Sequence, residues 1–419
     1  MARQMKESGI EWIGNIPAHW QVIPHKYVMH KEKNICEHYN GEDIISLTMN
    51  GVIVRDLTAG GKMPTTFDGY QYVEPEDLLM CLFDIDVTPR CVGVVRNHGV
   101  TSPAYSCFKV HEGYHNAYYD YLLRFIDDEK VFVHLSKNLR SSLTETDFGA
   151  IKTIVPPLDE QKRIASFLDK KCSEIDIVIT KTKATIEEYR KLRQAIVTDS
   201  ITKGIRANRS MKDSENVWYG NIPADWNICK IKYMFRIKKD IAGKEGYTVL
   251  SITQRGIRPK NIASNEGQIA ENYSNYQLVE PGDFAMNHMD LLTGWVDISQ
   301  HSGVTSPDYR VFVLLDEKNN HSKYYLYLMQ MCYTNRIFYG LGQGVSGLGR
   351  WRLQADKFLN FTIPVPSYKE QKEIADYLDK KCAEIDTLIE KKTALLAEME
   401  SYKKSVIYEY VTGKKEVIQ

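Results

Sequence analysis

The sequence predicts a mixed α/β fold in which two similar globules are joined by two long helices, with an internal pseudo-two-fold duplication. The first observation is that LDKKCSEID at residues 168–176 returns as LDKKCAEID at residues 378–386. The second is that GNIPAHW at residues 14–20 returns as GNIPADW at residues 220–226. The third is a change of periodicity inside each copy, from short alternating runs to a long heptad pattern.

The duplication continues between these anchors, so it repeats a fold and not one motif. VEPEDLLM at residues 73–80 matches VEPGDFAM at residues 279–286, and GVTSPAY at residues 99–105 matches GVTSPDY at residues 303–309. The matched segments keep one order along the chain. Each copy is too long for a solenoid repeat and suits one domain with a long appendage.

The first part of each copy has the pattern of a small mixed α/β globule. In the first copy, β-rich runs at residues 43–48, 92–96 and 108–110 alternate with turns that contain Gly or Pro. Residues 116–126 carry Tyr and Leu at helical spacing, which predicts a helix. Tyrosines recur at the same spacing in the second copy, and we expect them to pack in the core and not to stack on extruded bases.

The second part of each copy predicts a long helix. Residues 159–202 contain no Pro or Gly, and their apolar residues step by three and four. We expect the two helices to pair, because a long helix with a narrow apolar stripe is not stable alone. The alternative is that each helix packs only on its own globule. The expected helix-pairing residues are Leu168, Ile175, Ile179, Ile186 and Ile196 in the first copy, and Leu378, Ile385, Ile389, Leu396 and Val406 in the second.

Both predicted helices interrupt their apolar stripe with polar residues at the same two points. Thr182 in the first copy matches Lys392, and Arg193 matches Lys403.

The duplication and the change of periodicity divide the chain into five segments: a first globule at 1–156, a central helix at 157–205, a linker at 206–215, a second globule at 216–366 and a C-terminal helix at 367–412.

Composition places the chain among globular proteins, with 43% hydrophobic and 26% charged residues. No apolar run is long enough to span a membrane and the N-terminus lacks a secretory signal, so we expect a cytoplasmic protein. Eight cysteines without a C-x-x-C pair indicate reduced, mostly buried thiols. Lys+Arg and Asp+Glu are both 54, so any affinity for DNA must be local or shared with a partner.

Motifs for catalysis are missing from the sequence, which leaves little support for an enzyme. The sequence has no Walker A motif, no H-E-x-x-H motif and no N/D-P-P-aromatic loop of an adenine methyltransferase. Residues 342–347 fit G-x-G-x-x-G, but they follow an aromatic-rich segment and do not stand between a buried strand and a helix. We therefore expect a flexible loop there, and no cofactor or metal in this chain.

The chain resembles the specificity subunit of type I restriction-modification systems. The resemblance rests on SGIEWIGNIPAHW at residues 8–20, NHM at residues 287–289 and VPPLDEQKRIASFLDKK at residues 155–171, together with the doubled order of globule and helix. It covers nearly the whole chain.

This resemblance implies a non-catalytic subunit that recognises double-stranded DNA. Each globule is then a target-recognition domain for one half of a bipartite sequence, and the helices form an antiparallel coiled coil that sets the spacing. Two modification subunits, which carry S-adenosylmethionine, dock on the helices, and restriction subunits add ATP-driven translocation and cleavage. Symmetry alone also permits a parallel helix pair.

Residues that contact DNA are expected in loops rich in Arg, Lys, Asn, Gln and Ser. Matched residues cannot distinguish two different half-sites, so the paired tryptophans and Arg140 and Arg350 should serve folding or backbone positioning. Specificity should lie where the copies differ, at 51–66 against 256–268 and at 84–96 against 289–299. For each candidate, a solvated surface charge is the alternative. The candidates are Arg90, Arg96, Asn97, Arg140, Ser141, Arg255, Arg258, Lys260, Asn287, His288, Gln343, Arg350 and Arg352.

A second function remains open at this point. A scaffold or adaptor, with two protein-binding globules on a coiled coil and no role on DNA, is compatible with the neutral net charge.

Overall fold

The computed structural model describes residues 3–49, 51–58, 64–88, 90–136, 141–261, 270, 272–344 and 351–417. The chain forms two compact units. The first unit contains Met1–Lys183 and Ala394–Gln419, and the second unit contains Ala184–Thr393. Each unit therefore holds one globule, the beginning of one long helix and the end of the other.

The first unit contains strands β1 to β12, three short helices α1 to α3, and the start of the long helix α4 at Leu158–Lys203. Its strands are β1 Met5–Glu7, β2 Asn15–Pro17, β3 Gln21–Pro24, β4 Met29–Glu32, β5 Ile44–Thr48, β6 Gly51–Val54, β7 Gln71–Val73, β8 Leu78–Met80, β9 Val92–Val94, β10 Gly99–Thr101, β11 Ser106–Val110 and β12 Lys152–Val155. Its short helices are α1 Asn116–Asp128, α2 Val131–Leu135 and α3 Glu145–Ala150, with a 3-10 turn at His25–Tyr27.

Two four-stranded sheets form most of the first globule, and β1–β2 and β12–β3 form two further strand pairs. One is antiparallel in the order β4-β11-β8-β9, and the other has the order β6-β5-β10-β7 with β5 and β10 parallel. The β5–β6 hairpin turns at Gly51, whose φ of 99° suits glycine, and the Thr48 hydroxyl donates to the Gly51 carbonyl at 2.9 Å. The fold is therefore a mixed α/β fold, as the sequence predicts.

The core of the first unit joins the globule to both long helices. Trp20, Tyr118 and Tyr119 are fully buried, which confirms that these aromatic residues pack in the core. Val406 and Val411 at the end of the C-terminal helix belong to the same core. The Tyr118 hydroxyl also donates to the Val411 carbonyl at 2.8 Å, so the globule is tied to that helix by burial and by a hydrogen bond.

The second unit repeats this sequence of elements. Its strands are β13 Met211–Asp213, β14 Asn221–Pro223, β15 Asn227–Lys230, β16 Phe235–Lys238, β17 Leu250–Thr253, β18 Gly256–Pro259, β19 Gln277–Val279, β20 Phe284–Met286, β21 Val296–Ile298, β22 Gly303–Thr305, β23 Arg310–Leu314, β24 Gln343–Gly344, β25 Trp351–Arg352 and β26 Thr362–Val365. Its helices are α5 Ile231–Met234, α6 Ser322–Thr334, α7 Ile337–Leu341, α8 Ala355–Asn360 and the long helix α9 Tyr368–Val411.

The second globule has the same main sheet and the same hairpin. Its sheet order β16-β23-β20-β21 corresponds to β4-β11-β8-β9. The β17–β18 hairpin turns at Gly256, with φ 96°, and Thr253 donates to the Gly256 carbonyl at 3.0 Å. Trp226 and Tyr324 are buried in its core together with Ile201 from the end of α4.

The two long helices run antiparallel in the first unit. The Phe167 and Tyr410 rings lie 4.3 Å apart, whereas further along α4 Asp176 accepts two hydrogen bonds of 2.7 Å from Lys403. A step forward along α4 is thus a step back along α9. Leu168, Ile175 and Val406, which the sequence analysis names as expected helix-pairing residues, are buried.

The second unit contains the matching antiparallel segment. Arg193 Nε donates to Asp386 at 2.9 Å, and Arg206, just beyond the end of α4, pairs with Glu373 at 2.7 Å. Within each unit the helices therefore pack on each other as well as on a globule. The remaining predicted helix-pairing residues are buried or half-buried: Ile179, Ile186, Ile196, Leu378, Ile385, Ile389 and Leu396.

Each long helix begins with a Glu-Gln pair that ties it to its globule. Gln161 accepts a hydrogen bond of 2.9 Å from the backbone N–H of His115, the residue before α1, and Gln371 does the same for His321 at 2.7 Å. Glu160 binds Arg3 and accepts a 3.0 Å hydrogen bond from Trp20. These contacts explain why the helix starts recur in both copies.

The matching glutamate of the second unit keeps the matched arginine partner but lacks the hydrogen bond from the tryptophan. Glu370 pairs with Arg209, whose guanidinium lies over the Trp226 ring at 5.6 Å, but the Trp226 indole N–H has no hydrogen-bond partner among the described residues. Burial raises the pKa of Glu160, but hydrogen bonds from His19, Trp20 and Arg3 outweigh burial and leave that pKa below its usual value.

All eight cysteines are free thiols, as predicted, and all except Cys229 are buried. Among the helices that the structure describes, none is both long and apolar enough to cross a membrane.

Candidate nucleic-acid interface

The loops in which the copies differ meet at one place in the second globule. They surround a cavity of about 360 Å³ beside the β17–β18 hairpin. Its lining combines tyrosine rings with amide, carboxylate and lysine groups, and consists of Val249, Leu250, Ser251, Lys260, Tyr273, Tyr276, Asn287, Met289, Asp290, Ser306, Asp308 and Tyr309.

A buried glutamine holds one wall of this cavity. Gln277 donates to the carbonyls of Ser306 and Tyr309 at 3.0 and 2.8 Å, which fixes the turn that follows β22. The first globule has the same arrangement, because Gln71 donates to Ser102 and Tyr105 at 3.1 and 2.8 Å. The GVTSP-x-Tyr segment therefore has the same support in both copies.

A second wall consists of a matched aromatic pair. The Tyr273 and Tyr276 rings meet edge to face at 5.0 Å, and the Phe67 and Tyr70 rings of the first globule do so at 5.2 Å. Tyr309 completes the wall, and burial raises the pKa of its phenol, with Asp290 and Asp308 adding to the rise.

The corresponding residues of the first globule also lie together. Burial raises the pKa of Tyr105, and the charges that act on it belong to Cys81, Arg55 and Tyr70. Phe83 stacks on the Tyr105 ring at a centroid distance of 6.5 Å. Both globules thus form this site from the same strands and loops.

Three matched positions change the chemistry of the site. Cys81 corresponds to Asn287, Phe83 to Met289, and Ala104 to Asp308. The first-globule site is consequently apolar at these positions, whereas the second contains an amide and a carboxylate.

The amide and the carboxylate of the second site have unused hydrogen-bonding capacity. Asn287 accepts from the Met289 N–H at 3.2 Å, and its side-chain nitrogen has no partner among the described residues. Asp308 is exposed, and within the same part of the chain its carboxylate makes neither a hydrogen bond nor an ion pair. As far as the described residues go, the site therefore offers an unpaired donor and an unpaired acceptor.

The structure brings together only some of the DNA-contacting residues predicted for the second globule. Lys260 and Asn287 line the cavity, and Arg255 and Arg258 are exposed on the β17–β18 hairpin. Gln343 and Arg352 are exposed and face each other across the β24–β25 ladder. Arg350 and the second half of the G-x-G-x-x-G segment lie outside the described residues.

His288 differs from the other predicted residues, because its side chain lies inside the globule. Burial lowers its pKa to about 3, and the charges of Arg310 and Arg352 add to the effect. Strand β20 ends at Met286, and the alternation of side chains beyond it places Asn287 at the cavity and His288 in the interior. This imidazole cannot reach DNA in the present conformation.

Arg310 is a buried arginine to which the sequence analysis assigned no role. It is 4% exposed, donates to the Leu353 carbonyl at 3.0 Å and lies 4.9 Å over the Phe358 ring. Burial lowers the pKa of this guanidinium to about 10. Its position at the start of β23 corresponds to Ser106, so only comparison of the copies could have drawn attention to it.

The predicted residues of the first globule lie in a different setting. Arg96 and Asn97 are exposed, whereas Arg90 and Ser141 are half-buried. Arg96 lines a groove of about 500 Å³ together with Arg124 and residues of α4. Arg140 lies outside the described residues.

The part of the chain that the structure describes contains no group of three or more His, Cys, Asp or Glu side chains suited to a metal ion. The tyrosine wall of the cavity was also missed in the sequence, although the matched F/Y-x-x-Y-Q segments at 67–71 and 273–277 carry its signal.

Comparison with known proteins gives four relevant similarities. The chain is 29% identical over 282 residues to the type I restriction enzyme MjaVIII specificity subunit of Methanocaldococcus jannaschii, which covers 64% of this chain and 63% of that relative. The chain thus matches less than two thirds of the relative's length.

Two solved structures share the fold at 13% sequence identity. One is a chain from a structure of complex assembly and conformational transition of the type I R-M system, with a TM-score of 0.68 over 96% of this chain and 99% of that chain. The other is the HsdS subunit from Thermoanaerobacter tengcongensis, with a TM-score of 0.50 over 96% and 98%. A profile of the family described as the type I restriction modification DNA specificity domain matches residues 94–188 and 223–398. The chain belongs to this type I restriction-modification DNA specificity family.

Proposed function

We propose that this chain is the DNA-specificity subunit of a type I restriction-modification complex. Each globule recognises one half of a bipartite target in double-stranded DNA. The antiparallel helices hold the two globules at a fixed spacing and dock the modification subunits. The methylating and cleaving activities, with S-adenosylmethionine and ATP, belong to the partner subunits.

The observation that carries this proposal is that both globules share the residues that support the site but differ in the loops around it. Both globules support the same site with Gln71 or Gln277 and with the same aromatic pair, but they place different side chains in it. A protein that recognises two different half-sequences with one fold requires this combination, because the frame positions the loops and the loops supply the base contacts.

Charge supports DNA binding that depends on partners. The chain has a formal net charge of zero, but Arg255, Arg258 and Arg352 are exposed on the second globule near or within the unmatched loops. We expect the isolated chain to bind DNA weakly and with strong salt dependence, because few phosphates are neutralised by local cations. The assembled complex should bind more tightly.

The outer surfaces of the helix pairs support protein docking. Ile177 and Val178 on α4 in the first unit are 52% and 42% exposed, and Leu192 and Leu388 in the second unit are 48% and 41% exposed. Apolar side chains beside an otherwise charged helix surface are suited to a protein partner. The predicted helix-pairing residues, by contrast, are buried or half-buried.

Sequencing of methylated adenines tests the proposal directly. The full chain is expressed with its cognate modification subunit in cells that lack other adenine methylation, and modified motifs are mapped. We expect one motif that is split by a gap. An undivided motif, or DNA that stays unmodified by an active modification subunit, contradicts the proposal and favours the scaffold alternative.

Two chain variants separate the roles of globule and helix. Replacing residues 1–156 with the first globule of another family member should change one half-motif and leave the other half and the gap intact. Inserting one heptad into α4 and one at the matched point of α9 should lengthen the gap without changing either half-motif. A gap that stays fixed contradicts the role of the helices as a spacer.

A further inference from the structure

The matched sites of the two globules suggest which residues select the base, an inference that rests on the proposed function. The supporting atoms are equivalent in both copies. Thr101 donates to the Ile45 carbonyl at 2.8 Å, and Thr305 donates to the Leu250 carbonyl at 3.3 Å. Together with the two glutamines, these bonds fix the positions of Ala104 and Asp308 relative to the neighbouring strands.

The basic residue of each site is also held equivalently. The backbone N–H of Arg55 donates to the Ile44 carbonyl at 2.7 Å, and that of Lys260 donates to the Val249 carbonyl at 2.8 Å. Each residue follows its hairpin at the same distance from Gly51 or Gly256. A cation at a constant place is suited to a phosphate, which is the part of DNA that every sequence shares.

We propose that each site contacts the edge of one base, and that the three unmatched positions decide which base it accepts. In the second globule the Asn287 amide nitrogen and the Asp308 carboxylate, which have no hydrogen-bond partner among the described residues, line one cavity. Adenine presents an acceptor, N7, beside a donor, the N6 amino group, in the major groove. Asn287 donates to N7 and Asp308 accepts from the amino group.

The same pair disfavours guanine and thymine, whereas cytosine offers an amino group to Asp308 but no N7 acceptor to Asn287. Guanine presents two acceptors in the major groove, and its O6 would face the Asp308 carboxylate with no hydrogen between them. Thymine presents a methyl group and an acceptor, which leaves the carboxylate unpaired. Repulsion and loss of a hydrogen bond therefore add to the preference for adenine.

The first-globule site lacks both polar groups. Phe83 is 39% exposed and stacks on Tyr105, Ala104 is exposed, and Cys81 is buried with its thiol directed to the Phe83 carbonyl at 3.3 Å. Apolar side chains of this kind contact the thymine methyl group in the major groove. The first globule thus accepts thymine where the second accepts adenine.

The decisive experiment exchanges these residues between the globules of the full chain, expressed with its cognate modification subunit. In the variant N287C/M289F/D308A we expect one position of the second half-motif to change from adenine to thymine. The first half-motif and the gap stay as in the wild type. The control for the loss of a carboxylate is E317A, at an exposed turn away from the site.

The reciprocal variant C81N/F83M/A104D changes one thymine of the first half-motif to adenine.

A single exposed substitution protects the test against misfolding. Asp308→Ala removes the acceptor from an exposed position, so we expect the preference for adenine at one position to fall by roughly 5-fold to 150-fold. Unchanged motifs in D308A and in the triple variant overturn this inference while a split wild-type motif still supports the proposed function. Absence of a split motif in the wild type contradicts the proposed function itself.

Discussion

The two globules share their hydrogen-bonded frame but differ in the polarity of what that frame supports. Gln71 and Gln277 make the same two hydrogen bonds at almost the same distances. The side chains that this frame presents change from Ala104 to Asp308 and from Cys81 to Asn287. The hydrogen-bonded frame is the part that is costly to change, because an unpaired buried polar group is destabilising. The duplicated copies have kept this frame and varied the side chains that it presents.

The same comparison extends to the core, where each globule buries a histidine that the other lacks. His25 in the first globule corresponds to Ile231, and His288 in the second corresponds to Leu82. Each pair occupies a buried position in both copies. The fold at these places thus accepts either a neutral imidazole or an aliphatic side chain, and the copies provide natural replacements for each other.

The largest expected effect concerns the matched tryptophans. Trp20→Ala or Trp226→Ala should each lower the free energy of unfolding of its unit by about 3–5 kcal/mol, because a fully buried indole leaves a cavity. The milder variants distinguish the copies. Trp20→Phe should cost about 1–3 kcal/mol more than Trp226→Phe, because only Trp20 donates to a glutamate. Urea unfolding followed by circular dichroism measures both, and equal costs would contradict the different partners of the two indoles.

The buried histidines should make each unit sensitive to acid. Burial lowers the pKa of His25 to about 4 and that of His288 to about 3, whereas an exposed histidine titrates near 6.5. As pH falls below 6.5, the unfolded chain takes up a proton that the folded chain does not. Stability should therefore decrease by about 3 kcal/mol per histidine between pH 6.5 and 4.

Replacement by the residue of the other copy tests this pH dependence. His25→Ile and His288→Leu should each flatten the stability curve in that pH range, and the double variant should flatten it further. Substitution of the exposed His38, which has no such burial, is the control. A curve that keeps its full slope in the double variant assigns the acid sensitivity to other groups.

The matched glutamines Gln71 and Gln277 should affect both the stability of their unit and the specificity of their globule. Gln71→Leu or Gln277→Leu leaves two backbone carbonyls without their donor, which should cost about 1–3 kcal/mol in the affected unit. Because each glutamine positions the turn at Ala104 or Asp308, we also expect lower base selectivity in the half-motif of the mutated globule alone. Methylated-motif sequencing beside thermal unfolding checks both effects. Loss of stability with both half-motifs intact would show that the mutated glutamine has no part in recognition.

Much of the fold was predictable because it depends on patterns that lie within one stretch of sequence. The heptads indicated the two long helices, and nearly identical segments indicated the duplication. The cavity was harder to predict, since Tyr273, Asn287 and Asp308 are far apart in the chain and meet only through strand pairing. His288 shows the same difficulty on a smaller scale: its neighbour Asn287 faces the cavity, and a change of one residue along an extended segment reverses the direction of the side chain.

The smallest expected effect concerns the polar residues within the helix pairs, whose partners the sequence did not reveal. Arg193 binds Asp386 in the second unit, and Lys403 binds Asp176 in the first, so the duplicated aspartate receives a different cation in each. All four side chains are partly exposed, and each pair should contribute less than about 1 kcal/mol. Asp176→Asn and Asp386→Asn should therefore cause small, salt-sensitive losses of stability.

The charge reversal R193D/D386R should recover the stability that R193D alone loses, because it restores the pair with opposite polarity. A double-mutant cycle measures this coupling. If the cycle shows no coupling, the ion pair does not stabilise the antiparallel register and the apolar helix-pairing residues alone determine it.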